Sequence, residues 1–344
     1  MKIDFVLPWV DPNDTRWQKN KQAYSNQPGL KDENNSVHRF RDLETLKYVL
    51  RSIEFNCPWY NKIYLITEGH IPEWLNLDSE KIDLITHDEM YFNKSDLPIF
   101  NSSSIEMNIA NINELSENLV YLNDDTIIFR PLEKSRFFIK NLPVDFISHG
   151  LFPRGKLYKL LKGNDPWVSA LNNNIDLINI KQSIKNIKNE QLFNETYSSI
   201  DKICNFILKH FLSGFFWFEH WHHPQAYNKE TLTKVYEIYK EDMSRCSKNK
   251  FRSHSDLTHY IYRYYHLSTG AFFPKKFNDA LAKNIDSLST LKKLINELEN
   301  NKKINFVCLN DSQSLSESEY SNVKELMTQF LSEKFPNKAS FEKS

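Results

Sequence analysis

An α/β fold with a largely parallel sheet flanked by helices is predicted by three observations. Short apolar runs recur along the first third of the chain, stretches with helical apolar spacing separate them, and the runs close on turn or acidic residues. Strands that alternate with helices imply right-handed crossovers between parallel strands. Ile3 to Val10 is the first run, broken at Pro8 and closed by Asp11-Pro12-Asn13-Asp14, which has turn chemistry. Leu43, Leu46, Val49, Leu50 and Ile53 then repeat at helical spacing, behind Asp42 as N-cap and ahead of Pro58. Ile63 to Ile66 and Ile82 to Ile85 read as buried strands. Ile105, Ile109, Ile112 and Leu115 stripe a second helix that leads into Leu119 to Leu122.

That last run is the most informative, because Tyr121-Leu122 ends abruptly in Asn123-Asp124-Asp125. In open α/β sheets ligands bind beyond the carboxyl ends of the strands, and paired carboxylates there suit a hard divalent cation held against a diphosphate. The plainer reading is an Asx turn at Asn123 and Asp124. Phe306-Val307-Cys308-Leu309-Asn310-Asp311 repeats the arrangement of a strand followed by Leu-Asn-Asp, and a second acidic strand end can meet the first.

Composition bounds the function. A chain of 344 residues supports one large domain or two intimate ones, with no obvious linker. Lys plus Arg and Asp plus Glu each total 44, so no net field draws in nucleic acid or an anionic membrane, and phosphate must be held by local groups. Cys57, Cys204, Cys246 and Cys308 are scattered without metal or redox spacing, which reads as buried reduced thiols in a reducing cytoplasm. The N-terminus opens directly on a strand, and the aromatic patch Phe211 to Phe218 is too short to span a bilayer. Lys181 to Lys209 and Lys283 to Lys303, rich in Asn, Lys and Ile, read as helical elaborations.

Several side chains carry two readings. Ser103-Ser104-Ile105-Glu106 fits a capping box, yet Glu106 also stands near the strand bearing Asp125, where it could contact a substrate hydroxyl or a metal-bound water. Arg39 and Arg41 flank Phe40, with Arg51 further along, and guanidinium groups near strand ends suit bidentate phosphate binding. His220, His222 and His223 form the densest imidazole cluster; a zinc site using His220 and His222 is one reading, and a single His as general acid or base is the other. Ser253-His254-Ser255-Asp256 is a second capping-box pattern, which puts Arg252 at a helix entrance.

Taken in order, these segments resemble the conserved regions of the Stealth family. The residues that carry the likeness are Ile3-Asp4-Phe5-Val6 with Trp9-Val10 and Asp14; Arg39-Phe40 with Tyr48 to Ile53; Ile105-Glu106 with Tyr121 to Asp125; His222 with Pro224; and Val307 to Asp311. The family includes bacterial capsular polysaccharide phosphotransferases and the catalytic subunit of the lysosomal-enzyme N-acetylglucosamine-1-phosphotransferase. The resemblance implies one catalytic domain over 1–344 on a Rossmann-like, GT-A-like sheet. Residues 1–150 would bind a nucleotide sugar, 151–300 would form a helical elaboration carrying the His and Arg motifs, and 301–344 would return as a strand and C-terminal helix.

The implied reaction moves a hexose- or N-acetylhexosamine-1-phosphate from a UDP-sugar, UDP-GlcNAc or similar, to a hydroxyl of a capsular oligosaccharide, releasing UMP. Glu106, Asp125, His222 and Arg252 match the family's active-site positions. Asp124, Asp125 and Asp311 are then the expected ligands of Mg²⁺ or Mn²⁺, and Arg39, Arg51, Asp14, Asn123 and Asn310 the expected substrate contacts. His222 is the first choice for the base, with Asp125 the alternative. A cytoplasmic enzyme, peripheral to a capsule assembly complex at the inner face of the membrane, is the expected setting. A metal-dependent glycosyltransferase releasing UDP and a non-catalytic carbohydrate-binding protein are the competing functions.

Overall fold

The computed structural model describes residues 1–25, 43–149, 165–219, 222–312 and 315–343. Its strands are β1 (Ile3–Pro8), β2 (Ile63–Thr67), β3 (Ile82–Thr86), β4 (Asn118–Tyr121), β5 (Thr126–Ile128), β6 (Phe138–Ile139), β7 (Leu142–Asp145), β8 (Gln225–Asn228), β9 (Phe273–Pro274), β10 (Ala280–Ile285) and β11 (Phe306–Asp311). The central sheet runs β3-β2-β1-β4-β8, with the first four strands parallel and β8 antiparallel at the edge. A second sheet, β10-β11-β5, pairs β10 and β11 in parallel and β11 with β5 antiparallel; a third joins β6, β7 and β9.

The apolar runs are continuous because both faces of the central sheet are covered. Side chains alternate across a strand, so Phe5, Leu65, Val120 and Leu122 enter one core, while Val6, Ile66, Leu119 and Tyr121 enter the other. The first core is completed by the helix Leu46–Asn56 and by the C-terminal helix Glu317–Lys334; the second by helices from the middle of the chain, including Pro166–Lys181 and Tyr260–Thr269. All four cysteines are buried free thiols.

Four local expectations are corrected. The stripe from Ile105 to Leu115 is not one helix. A short helix, Ser102–Glu106, gives way to a single 3-10 turn at Ile109–Asn111, because the Asn108 amide turns back to donate to the Ser104 carbonyl (2.9 Å) and across to Ser247 Oγ (2.9 Å). The stripe is nonetheless buried at Ile109, Ile112 and Leu115. Ser103 and Glu106 make no capping box; Asn101 is the N-cap, accepting from the Ser103 N–H at 3.2 Å, which leaves Glu106 to point elsewhere. Ser253 and Asp256 close a turn through the Ser253 N–H (2.8 Å), and the helix starts only at Tyr260. Lys283 to Lys303 is likewise mixed, since its beginning belongs to β10 and only Leu288–Asn300 is helical. Asp42 lies outside the described residues, and the helix it was expected to cap begins at Leu46 after Thr45.

Candidate active site

At the carboxyl ends of β1 to β4 a cleft of about 570 Å³ opens. Its acidic wall is built by strand pairing. β4 hands the chain to β5 through Asn123-Asp124-Asp125, a turn closed by the Thr126 N–H on the Asn123 carbonyl (3.1 Å) and pinned by the Thr45 hydroxyl on the Asp124 carbonyl (2.7 Å). β11 runs antiparallel to β5 with Cys308 opposite Thr126, and the Leu309 N–H donates to the Asp125 carbonyl (3.0 Å). The two acidic strand ends therefore meet, and Asn123, Asp124, Asp125, Asn310 and Asp311 share one wall of the cleft. The Cys308 thiol lies 3.4 Å from both Asp125 Oδ2 and Asn310 Oδ1. Burial, with Asp125 beside it, pushes that thiol well above its ordinary pKa, so it remains a neutral donor.

Glu106 lines the same cleft, only 5 % exposed. Its Oε2 accepts from the His259 backbone N–H at 2.7 Å and its Oε1 from the Tyr121 hydroxyl at 3.2 Å. Burial pushes its carboxyl up to about 7, against the opposing pull of the His259 N–H, the Arg252 charge and the Tyr121 hydroxyl. Arg252 reaches the same cleft and donates to Ser102 Oγ at 3.4 Å.

His222 is half-buried on the cleft wall, its ring 6.0 Å from that of Trp167 and nearly parallel to it. The chain before it is held by a buried network: Arg263 donates three bonds to Asp145 (3.2, 2.9 and 2.7 Å) and one to the Glu219 carbonyl (2.7 Å), and His266 Nε2 meets Asp145 Oδ2 at 2.8 Å. His223 lines the same cleft and is also half-buried, its Nδ1 2.7 Å from the Pro224 carbonyl and its ring over Phe306; burial and the nearby Arg136 charge bring its pKa down to about 4, so it is neutral at pH 7. His220 lies outside the described residues. The zinc reading, which needs His220, therefore lies outside the described residues as well; among the described residues no three His, Cys, Asp or Glu side chains are grouped to hold a metal.

Two expected substrate contacts are elsewhere. Arg51 is buried in the helix Leu46–Asn56 and forks onto Glu342, with bonds of 2.6 and 2.8 Å, while donating a third to the Phe335 carbonyl (2.7 Å). It fastens the C-terminal segment and does not line the cleft. Asp14 accepts from the Trp17 N–H at 2.7 Å at the start of the helix Thr15–Ser25 and does not line the cleft. Arg39 lies outside the described residues.

The structure also adds residues that sequence reasoning passed over. Trp9, Glu68, His70 and His87, at the ends of β1, β2 and β3, line the other end of the cleft. Trp9 Nε1, Glu68 Oε2, His70 Nδ1 and both ring nitrogens of His87 are buried without a hydrogen-bond partner. His70 Nε2 accepts from the Asp11 N–H at 2.9 Å, which leaves Nδ1 as the protonated nitrogen. Burial brings His87 down to about 3, so its ring is neutral, with one donor and one acceptor.

The sequence matches three Stealth protein models: conserved region 1 over residues 1–29, conserved region 2 over 39–145 and conserved region 4 over 296–344. A capsular polysaccharide phosphotransferase, WcwK of Streptococcus pneumoniae, is 36% identical over 346 residues, covering 99% of this chain and 98% of the relative. The chain belongs to the Stealth family. Other relatives are an exopolysaccharide phosphotransferase, cps2G of Lactiplantibacillus plantarum, at 32% identity over 99% of this chain and 96% of its own, and a receptor polysaccharide phosphotransferase, WefC of Streptococcus oralis, at 31% over 99% of each. Glu106, Asp125, Asn310 and Asp311 fall inside the matched Stealth regions, whereas His222 and Arg252 fall between them. Among solved structures, the galactosyltransferase LgtC in complex with donor and acceptor sugar analogues overlaps 96% of this chain and 95% of its own at 11% identity and a TM-score of 0.41.

Proposed function

We propose that this Stealth enzyme transfers a sugar-1-phosphate from a UDP-sugar to a hydroxyl of a capsule-type glycan, releasing UMP. The reading rests above all on one observation: a buried carboxyl poised near neutrality, an arginine and an imidazole share a cleft with two acidic strand ends. The acceptor oxygen attacks the phosphorus next to the sugar, the bond from that phosphorus to the bridging oxygen breaks, and UMP leaves with the bridging oxygen. His222 takes the hydroxyl proton, Glu106 orients the hydroxyl, and Arg252 neutralises charge on the phosphates. The Asp145–Arg263 network acts indirectly by fixing the segment that carries His222.

The donor set suits a hard cation. Asp125 and Asn310 present oxygens to one thiol edge, with Asp124 and Asp311 on the same wall, and Cys308 stays protonated. One or two carboxylates completed by water and substrate phosphates is the habit of Mg²⁺. Bound there, Mg²⁺ or Mn²⁺ would neutralise charge on the diphosphate.

The nucleoside is assigned to the Trp9, Glu68, His70 and His87 end. A buried polar atom left unpaired costs about 1–3 kcal/mol, so five together at the ends of three parallel strands call for a polar ligand. The donors and acceptors they offer complement the alternating carbonyl and N–H edge of uracil. Chromatography of the nucleotide released from a panel of UDP-sugars with a capsule oligosaccharide tests the reaction. UMP that depends on the acceptor is expected, and UDP would replace this reading with glycosyl transfer.

A further inference from the structure

Six of the twelve large hydrophobic side chains exposed among the described residues fall within residues 180–212: Ile180, Ile200, Ile203, Phe206, Phe211 and Leu212, each 44–73% exposed. They concentrate on the helix Ser199–Ile207 and the π-helical turn Leu208–Leu212 that continues it. This helix is apolar on two sides. Cys204 and Leu208 face the core, and Ile200, Ile203 and Phe206, spaced three apart, face out. The outward face is ordered by its own contacts, with the Phe206 ring 4.4 Å from His210 and 6.4 Å from Phe211.

Ile180 joins the same region through the end of the helix Pro166–Lys181. The Asn179 amide and the Phe215 backbone exchange two hydrogen bonds of 2.8 Å, and the Ser183 hydroxyl donates to the Ser213 carbonyl at 2.8 Å. The strap between the two helices adds charge, with Lys181, Lys185 and Lys188 all exposed. Residues 177–212 hold five lysines against three acids, and one of those acids, Asp201, is buried and paired with Lys276. The chain as a whole is electrically neutral, so this surplus is local.

We propose that this face docks on an anionic lipid bilayer. Apolar side chains on a convex helix enter the boundary between headgroups and acyl chains, while lysine stems extend to the lipid phosphates. A second copy of the chain fits less well: a two-fold interface would set the same lysines against each other, and lysine is depleted from interface cores. The helix Pro166–Lys181 begins beside the cleft at Asp165 and Trp167 and ends at the patch. Its 16 residues span about 24 Å, which separates the start of the helix at the cleft from its end at the patch.

Vesicle flotation tests this, using equimolar phosphatidylglycerol and phosphatidylcholine against phosphatidylcholine alone. The wild-type protein is expected to float with the anionic vesicles and to be released by salt. A double variant, Ile203→Ser with Phe206→Ser, is expected to bind about tenfold or more weakly. Its thermal unfolding midpoint should not move, because both side chains are already exposed. Lys185→Glu with Lys188→Glu provides a second variant, expected to lose the preference for anionic lipid. Absence of wild-type flotation, or undiminished flotation of both double variants, would overturn the proposal. So would a wild-type dimer in light scattering that the serine variant converts to monomer without any vesicle binding.

Discussion

Asp145 and Glu106 are both buried carboxylates within the half of the molecule that carries His222, yet their partners drive them in opposite directions. Burial alone would raise Asp145, but the Arg263 guanidinium and the His266 N–H overcome it and hold the carboxyl well below its usual range. Burial also pushes His266 down, so its ring donates to Asp145 as a neutral imidazole with Nδ1 left over. Glu106 receives a backbone N–H and a phenol but no guanidinium fork, and burial wins, carrying it up to about 7. An equally buried acid is thus a fixed strut in one place and a titrating group in the other. What separates them is whether a full positive charge lies in direct contact.

Asp145→Asn should have the largest effect. It leaves Arg263 charged and buried without its counter-ion, so a loss of about 3–5 kcal/mol in denaturant unfolding is expected. A loss below about 1 kcal/mol would make the network dispensable. His222→Asn follows, with turnover falling about a thousandfold while UMP affinity and the unfolding midpoint hold, since a base acts in the transition state. His223→Gln should be much milder; the reverse ranking would move the base to His223. Asp125→Asn keeps the shape and removes charge, and should cost about a hundredfold in turnover. Chelation should abolish transfer and Mg²⁺ or Mn²⁺ restore it, so full activity in EDTA would remove the cation from the account.

The pH dependence of stability sharpens the contrast most. In the unfolded chain Glu106 releases its proton near pH 4.3, about the ordinary glutamate value, whereas the folded protein holds it until about 7. The folded state therefore binds more protons across that window, and this group's contribution to stability falls as pH climbs through it. Glu106→Gln should accordingly be more stable than wild type by about 3–4 kcal/mol at pH 8, with the gap closing toward pH 4, while transfer is lost. The Asp145 contribution runs the other way, being present above about pH 4 and lost as pH falls below it. A Glu106→Gln protein no more stable at pH 8 than at pH 4, relative to wild type, would place the two carboxylates in one class.

The sheet and its acidic wall were legible in the sequence because apolar runs ending in Asp are local signals. The run from Leu119 to Asp125 is buried strand and turn as read, and the Phe306 to Asp311 run ends on the same cleft. What was not legible depends on partners distant in the chain. Arg51 looked available for phosphate because Glu342, 291 residues away, gives no signal near it. Glu106 matched a capping box because three-residue spacing cannot reveal that Asn101 takes the cap. Lone histidines at 70 and 87 carry no spacing at all; only the parallel order β3-β2-β1 brings them beside Trp9.

Phosphorus NMR of the reaction product tests the central claim most directly, because it reports which bond is cleaved without requiring the acceptor's full structure. With a UDP-sugar and a capsule oligosaccharide, the product should carry one phosphorus as a diester between sugar and acceptor, matched mole for mole by UMP, with the donor's anomeric configuration kept. A product free of phosphorus, matched by UDP, would contradict sugar-phosphate transfer.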